Sequence, residues 1–349
     1  MREFMRKDLL NYEPYHASLV PYKIKMDANE SPFNLPEEIR ENIIKWFKEE
    51  ENLNIYPDTD CLDLKAELSK FWNVKSENII CTVGSDQLIE YICKAFLEPD
   101  DVVVVPAPSF SMYTLTAVIN RGKVVPVMLD DNFMYNADEV IKTCKENNPK
   151  LLILCTPNNP TGKSISVSEI EKILAQVKCP VILDEAYSEF SEATMIPYIE
   201  KYPNMIVLKT FSKAYSLAGM RIGYGIANKE FIDVLEVVRA PYNLNTLAQK
   251  IAIEILKNQK IYKERIEYLK NERQWLEKEL KNFDFMEIYT SDANFIYVLS
   301  DKDIAKYLKS KGILIRDFAP ENGKYKSRIS VSTRKDNEEL IKELKNIDC

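Results

Sequence analysis

Short apolar segments alternate with longer amphipathic segments over most of the chain. The apolar segments are continuous and rich in β-branched residues, which is typical of strands buried on both faces of a parallel sheet. The predicted strands of this region are 79–82, 102–105, 151–155, 181–183, 206–208 and 221–226. Amphipathic stretches such as 167–177 separate them. We therefore predict an α/β fold whose central sheet is mainly parallel and covered by helices.

The pattern changes after Ala240 and Pro241. A long helical pattern rich in Lys, Glu and Leu runs from 246 to 282. The predicted elements beyond it are strands at 295–299, 313–316 and 327–332, with helices near 303–309 and 337–345. The first 35 residues are irregular and rich in tyrosine and proline. These changes predict an N-terminal arm (1–35), a large domain (36–240) and a small α+β domain (241–349).

Composition excludes several classes of function. The net charge of −7 argues against a nucleic-acid partner, because phosphate binding needs a basic surface. No apolar stretch approaches the roughly 20 residues that span a bilayer. The 7 cysteines form no C-x-x-C pair, as expected of reduced thiols, and the start lacks the apolar region of a signal peptide. We therefore expect a cytoplasmic protein with no membrane partner.

The chain has 1 histidine, His16, which leaves few combinations of side chains that could hold a zinc ion. We expect no metal site. A serine or cysteine nucleophile would have His16 as its one candidate base of the usual kind. Acid–base chemistry is therefore expected to use lysine, tyrosine or carboxylates.

Polar residues follow four of the predicted strands. Ligands of α/β sheets bind beyond the carboxyl ends of the strands, so these positions are candidates for function. After strand 79–82, Ser85 resembles a helix N-cap, and the free N–H groups inside that helix can bind an anion. Asp86 would contribute its backbone N–H, because its carboxylate repels a phosphate. After strand 151–155, Asn159 places an amide at the same edge.

The third strand end carries an acid and a tyrosine, Asp184 and Tyr187. These two side chains can hold opposite edges of a heteroaromatic ring. A carboxylate that faces a pyridine nitrogen keeps it protonated through opposite-charge stabilisation. Such a ring accepts electrons readily, which favours an organic cofactor of this kind.

The fourth strand end carries Lys213, close in sequence to two hydroxyls and an arginine. Burial and a nearby cation lower the pKa of a lysine and make its amine nucleophilic. Thr210, Ser212 and Arg221 can hold a phosphate, and Arg221 can do so through two parallel hydrogen bonds. The four strand ends together indicate a site for a phosphorylated heteroaromatic ring bound to Lys213.

The chain resembles a known family over nearly its whole length. The matching segments are 29–30, 56–58, 107–113, 158–162, 212–213 with Arg221, and 328–331. In them the sequence resembles the fold type I pyridoxal-phosphate (PLP)-dependent aminotransferases, and most closely the histidinol-phosphate aminotransferase family. The resemblance implies pyridoxal 5'-phosphate as cofactor. It implies transamination between L-histidinol phosphate and 2-oxoglutarate, giving imidazole-acetol phosphate and glutamate.

The resemblance also implies roles for individual residues. Lys213 would form the Schiff base with the cofactor and then move the substrate α-proton. Asp184 would pair with the pyridine nitrogen, while Asn159 and Tyr187 would hydrogen-bond the phenolic oxygen. Tyr113 would stack on the ring.

The remaining implied roles concern the cofactor phosphate, the partner subunit and the substrate. The residues assigned to the cofactor phosphate are Ser85, Asp86, Thr210, Ser212, Arg221 and, from a neighbouring subunit, Tyr56. A homodimer with shared sites follows. The residues assigned to the substrate are Arg328 for a carboxylate, Arg316 with Tyr15 for a distal phosphate, and Asn29.

Two departures from the family pattern bear on substrate choice. Gln87 stands where the family often has glutamate, and Ser332 where it often has glycine. Alternatives therefore stay open: an aminotransferase for aromatic or other amino acids, or a decarboxylase of a phosphorylated amino acid. A PLP-binding transcription regulator is disfavoured, because only an irregular arm precedes the core and the chain is acidic.

Overall fold

The computed structural model describes residues 2–10, 12, 20–49, 53–191 and 193–347, so Tyr15 and His16 lie outside the described residues. The strands are β1 (Ile24–Met26), β2 (Ile79–Thr82), β3 (Val102–Ala107), β4 (Lys123–Met128), β5 (Leu151–Cys155), β6 (Val181–Asp184), β7 (Met205–Thr210), β8 (Gly223–Ala227), β9 (Met286–Tyr289), β10 (Phe295–Ser300), β11 (Ile313–Glu321) and β12 (Lys324–Ser330). The helices are α1 (Glu37–Glu49), α2 (Leu62–Trp72), α3 (Gly84–Phe96), α4 (Ser111–Ile119), α5 (Ala137–Asn147), α6 (Val167–Leu174), α7 (Lys229–Val238), α8 (Thr246–Lys257), α9 (Gln259–Leu280), α10 (Ile304–Ser310) and α11 (Arg334–Lys345).

The larger sheet has the strand order β2-β8-β7-β6-β5-β3-β4. Strand β8 runs antiparallel to both neighbours, and the other pairs are parallel. Successive residues of β5 pack on opposite faces: Leu151 and Ile153 join one apolar cluster, Leu152 and Leu154 the other. Both faces are therefore covered, and the predicted mainly parallel α/β sheet is confirmed.

Strand β4 at the edge of this sheet is absent from the prediction. Its side chains are mostly exposed or half-buried, and Pro126 lies within it. A proline cannot donate to a strand ladder, so it is typical of edge strands. The local pattern therefore lacks the continuous apolar character that identifies the central strands.

The smaller sheet has the order β1-β11-β12-β10-β9 and packs against α9, α10 and α11 through a third apolar cluster. Strand β1 comes from the segment predicted to be an irregular arm. It pairs in parallel with β11, and Met26 is fully buried in the cluster. Residues 24–26 are thus part of a core, because Ile24 and Met26 both face the cluster.

The single helical pattern predicted over 246–282 is two helices, α8 and α9. They are separated at Asn258, whose side-chain Nδ2 donates to the carbonyl of Glu254 and whose N–H donates to that of Ile255. Asparagine competes for backbone groups in this way and so ends helices. Among the described residues, no helix is both long enough and apolar enough to cross a membrane.

Candidate active site

Lys213 lies in the loop that follows β7, at the carboxyl edge of the larger sheet. Its Nζ donates to the carbonyl of Ala28 over 2.9 Å and lies 5.7 Å from the ring centre of Tyr187. Burial, and next the charge of Arg328, lower the pKa of Lys213 to about 8. A larger fraction of its amine is therefore neutral near pH 7 than in an ordinary lysine, which favours nucleophilic attack.

Asp184 is the last residue of β6 and is buried. Its Oδ1 accepts from the N–H of Ala186 at 3.0 Å, and its Oδ2 accepts from the hydroxyl of Tyr113 at 2.6 Å. Burial raises the pKa of Asp184, and these two donors oppose the rise. The Tyr113 hydroxyl contact is absent from the sequence prediction, which assigns Tyr113 only a stacking role.

Asn159 and Arg328 meet across the two sheets. Arg328 Nη1 donates to Asn159 Oδ1 at 2.6 Å, and Nη2 donates to the carbonyl of Asp27 at 2.7 Å. A guanidinium can only donate, so the amide oxygen of Asn159 faces Arg328. The NH₂ group of Asn159 faces the other way and is available to donate within the site.

Tyr187 is buried against Phe295, with ring centres 5.0 Å apart. Burial raises the pKa of Tyr187 to about 12, so its hydroxyl stays protonated at neutral pH. Asn29 Nδ2 donates to this hydroxyl at 3.0 Å, and Asn29 Oδ1 accepts from Ser330 at 3.1 Å. The prediction missed Ser330, although it stands two residues after Arg328 and therefore on the same face of β12.

The anion-binding end is built on helix α3, which begins at Gly84. Its N-cap is Val83, so the prediction of Ser85 as the N-cap is wrong. The side chain of Gln87 reaches back to accept from the N–H of Val83 at 2.9 Å, so the helix starts before the serine. Asn243 Nδ2 holds the same Gln87 oxygen at 3.0 Å. The first-turn N–H groups, which include those of Ser85 and Asp86, lack intrahelical partners and can bind an anion.

Thr210, Ser212 and Arg221 come together beside this helix. Arg221 Nη1 lies 3.4 Å from Ser212 Oγ, and the N–H of Ser212 donates to Thr210 Oγ1 at 3.1 Å. Arg221 Nη2 pairs with Asp86 Oδ2 at 3.1 Å. Thr210, Ser212 and Arg221, predicted from the fourth strand end, thus form one cluster with Asp86, predicted from the first.

Two glycines allow the close approach of these groups. A Cβ on Gly84 would lie 2.7 Å from Arg221 Nη2, and a Cβ on Gly223 would lie 2.4 Å from the backbone N of Ser85. The cluster offers N–H groups, hydroxyls and a guanidinium at one end of the site, with Lys213 and a buried carboxylate beyond them. This donor set fits pyridoxal 5'-phosphate.

Three further residues are predicted to bind the cofactor phosphate or the substrate. Tyr56 is 76% exposed and stacks on Tyr242 with ring centres 4.4 Å apart. Arg316 on β11 is the direct cross-strand partner of Arg328 on β12. Tyr15 falls outside the described residues, so its predicted contact with a distal phosphate stays a prediction.

Comparisons with known proteins agree with this site. Residues 21–344 match the family described as aminotransferase class I and II. A histidinol-phosphate aminotransferase of Ruminiclostridium cellulolyticum is 43% identical over 99% of this chain and 98% of its own. One of Pyrococcus furiosus is 39% identical over 97% of this chain and 96% of its own.

The fold is shared with solved structures. The histidinol-phosphate aminotransferase of Sinorhizobium meliloti in complex with pyridoxal-5'-phosphate superposes with a TM-score of 0.85. It is 25% identical, and the match covers 93% of this chain and 92% of the other. The chain therefore belongs to the class I and II aminotransferases, and its cofactor is pyridoxal 5'-phosphate.

Proposed function

We propose that this enzyme transfers the amino group between L-histidinol phosphate and 2-oxoglutarate, giving imidazole-acetol phosphate and glutamate. The observation that carries the proposal is the direct pairing of Arg316 with Arg328 on neighbouring strands. Directly paired residues lie on the same face of a sheet, so one guanidinium can take a carboxylate and the other a phosphate. The names of relatives that match the whole chain support this substrate pair.

The chain's own residues divide the catalytic work. When bound in this site, the cofactor would supply an electron sink for the electrons released at the substrate α-carbon. Asp184 would keep the ring nitrogen protonated, and Tyr113 holds the Asp184 carboxylate in place. Asn159 and Tyr187 would donate to the phenolic oxygen. Lys213 Nζ, once the substrate amine has displaced it from the cofactor, would take and return the α-proton of the substrate.

The cluster beside helix α3 would hold the cofactor phosphate. The residues assigned to it are Ser85 and Asp86 through their N–H groups, together with Thr210, Ser212 and Arg221. A phosphate at this position would receive charge-assisted hydrogen bonds from Arg221, the strongest kind that side chains offer. The approach of Gly223 to the start of α3 supports this assignment, because a larger residue there would separate the donors.

The test is a pair of half-reactions followed by visible absorbance. The cofactor-loaded enzyme is mixed with L-histidinol phosphate and, separately, with L-glutamate, and the oxo products are identified. Loss of the visible band with both compounds supports the substrate pair. A change with glutamate alone would keep the aminotransferase and discard histidinol phosphate, whereas carbon dioxide release from a phosphorylated amino acid supplied in a third reaction would indicate a decarboxylase. Lys213→Ala should lose both half-reactions.

The enzyme acts as a homodimer in which Tyr56 reaches the cofactor phosphate of the partner subunit. Tyr56 is too exposed for a residue that serves its own subunit's buried site, and Leu53 and Ile55 beside it are exposed as well. Lys213→Ala subunits, which are inactive alone, and Tyr56→Ala subunits, which are weak alone, should together give active enzyme when co-expressed. In the mixed dimer, one active site combines the intact Lys213 of one subunit with the intact Tyr56 of the other. If each subunit used its own Tyr56, co-expression would restore no activity.

The division of the chain into 1–35, 36–240 and 241–349 is also a proposal. Its support is that the larger sheet lies within 36–240, and that the smaller sheet, apart from β1, lies within 241–349. We assign the enzyme to the cytoplasm, because Cys61, Cys81 and the other described cysteines are free thiols.

A further inference from the structure

The direction of one proton decides what Tyr187 can do. A tyrosine hydroxyl has one proton, so it donates in one direction and accepts elsewhere. Asn29 Nδ2 lies 3.0 Å from the Tyr187 oxygen in a buried contact, and an amide NH₂ can only donate. The Tyr187 oxygen therefore accepts from Asn29, and its own proton points away from Asn29.

The contacts of Ser330 favour one orientation of the Asn29 amide. The backbone N–H of Asn29, an obligate donor, lies 2.9 Å from Ser330 Oγ. Ser330 accepts there, so its own proton is available to Asn29 Oδ1 at 3.1 Å. The amide oxygen faces Ser330 and the NH₂ faces Tyr187. Asn294 holds the Asn29 carbonyl at 3.1 Å, which fixes the backbone from which this order starts.

We propose that Asn29 and Ser330 are positioning residues that make the Tyr187 hydroxyl a donor toward the phenolic oxygen of the bound cofactor. The chain of hydrogen bonds runs from the Asn29 N–H through Ser330 and the Asn29 amide to Tyr187. It starts at a backbone group that cannot reverse its polarity, and in this order every donor after it has an acceptor. This inference rests on the role proposed above for Tyr187.

This role differs from the substrate contact that the sequence resemblance implies for Asn29. The amide oxygen is engaged by Ser330 and the amide nitrogen by Tyr187. Asn29 itself is 1% exposed. The geometry therefore favours an indirect role, through Tyr187, over direct recognition of the substrate.

The decisive variant is Asn29→Asp. Asn29 has φ 55, a left-handed conformation that Asn and Asp both tolerate, so the backbone is preserved. A carboxylate can only accept, so it draws the Tyr187 proton toward itself. The phenolic oxygen then loses a donor that stabilises its deprotonated form. The pKa of the Schiff base between Lys213 and the cofactor, read from the visible absorbance of the cofactor-loaded enzyme, should rise by on the order of one unit. Tyr187→Phe should cause a similar rise.

Adding a charge at position 29 could raise this pKa by itself, so the measurement is repeated with Tyr187→Phe as background. If Asn29 acts through the hydroxyl, Asn29→Asp causes no further rise there. An equal rise in both backgrounds, or no rise while Tyr187→Phe causes one, would overturn the inference. If Tyr187→Phe itself leaves the pKa unchanged, the proposed role of Tyr187 fails instead, and the inference falls with it.

Ser330→Ala provides a neutral second variant. It releases the Asn29 amide oxygen and should give a smaller rise in the same pKa, again only while Tyr187 is present. Ser327→Ala is the matched control, because Ser327 is a buried serine on the opposite face of the same strand. Equal shifts from the two serine variants would contradict the proposed order of hydrogen bonds.

Discussion

Arg221 Nη2 lies 3.1 Å from Asp86 Oδ2, so a carboxylate from the first turn of α3 holds the guanidinium that is expected to receive the cofactor phosphate. Both side chains are about half exposed. The pair therefore contributes little to stability, and its consequence lies in anion binding. A phosphate at this cluster meets Arg221 only in competition with Asp86.

Asp86→Asn should tighten binding of inorganic phosphate to the cofactor-free enzyme by roughly threefold to tenfold, because it removes a competing like charge. Calorimetric titration measures the change directly. Glu90→Gln is the control, since Glu90 lies on the same helix and pairs with Lys94. Weaker phosphate binding in Asp86→Asn would show instead that the carboxylate is needed to orient Arg221.

The same substitution at two lysines four residues apart should have opposite effects on stability. Burial lowers the pKa of Lys213 from 10.5 to about 8, so the charged lysine destabilises the folded chain at pH 7. Lys209 is 1% exposed but pairs with Glu189 at 2.7 Å. Lys213→Met should raise the free energy of unfolding of the cofactor-free enzyme by about 2 kcal/mol. Lys209→Met should lower it by about 3 kcal/mol, because it leaves a buried carboxylate unpaired.

The stability gained by Lys213→Met should depend on pH. Between pH 8 and 10.5 the unfolded chain binds more protons at this lysine than the folded chain does, so the parent enzyme gains stability as pH rises. The advantage of Lys213→Met should therefore be complete below pH 8 and shrink toward pH 10.5. Urea denaturation at several pH values measures it, and a constant difference would be inconsistent with the lowered pKa.

Gly223→Ala should separate the donors of the phosphate cluster. Its Cβ would lie 2.4 Å from the carbonyl carbon of Gly84 and from the N of Ser85, so the start of α3 must move. We expect a loss of about 2 kcal/mol in stability and weaker cofactor binding in equilibrium titrations. Gly219→Ala is the control, because a Cβ there meets no atom within 4 Å. Equal cofactor affinity in the two variants would show that the close approach is unimportant.

Arg316→Gln should affect the two half-reactions differently. If Arg316 binds the distal phosphate, the KM for L-histidinol phosphate rises roughly tenfold to hundredfold while the glutamate half-reaction changes little. Stopped-flow absorbance of each half-reaction separates the two. Lys326→Gln serves as control, since Lys326 is a cation of the same hairpin and pairs with Glu321 at 2.8 Å. An equal loss in both half-reactions would remove Arg316 from substrate selection.

The parts of the site that follow a strand directly could be predicted from the sequence. Asp184 ends one apolar strand and Lys213 closely follows another. The local pattern identifies both strands, and parallel strands end at the same edge. Contacts between distant segments could not be predicted. The Tyr113 hydroxyl meets Asp184 across 71 residues, and Lys213 meets the Ala28 carbonyl across 185, so neither has a local signal.

The start of α3 was predicted wrongly for a physical reason. Serine is a favoured N-cap, so the pattern indicates Ser85. Gln87 instead supplies the acceptor for the Val83 N–H, and its own oxygen is fixed by Asn243, far away in the sequence. Preference for a cap is local, whereas the choice between two possible caps depends on tertiary contacts.

The pairing of β1 with β11 determines how the chain tolerates shortening. A chain that began after Asn29 would lose an edge strand of the smaller sheet, the carbonyl that Lys213 contacts and the amide that Tyr187 contacts. Removal of residues 2–10 would touch none of these. Deletions that reach β1 and Asn29 should therefore cost far more stability and activity than removal of residues 2–10, because they take away backbone and side-chain groups that support Lys213 and Tyr187.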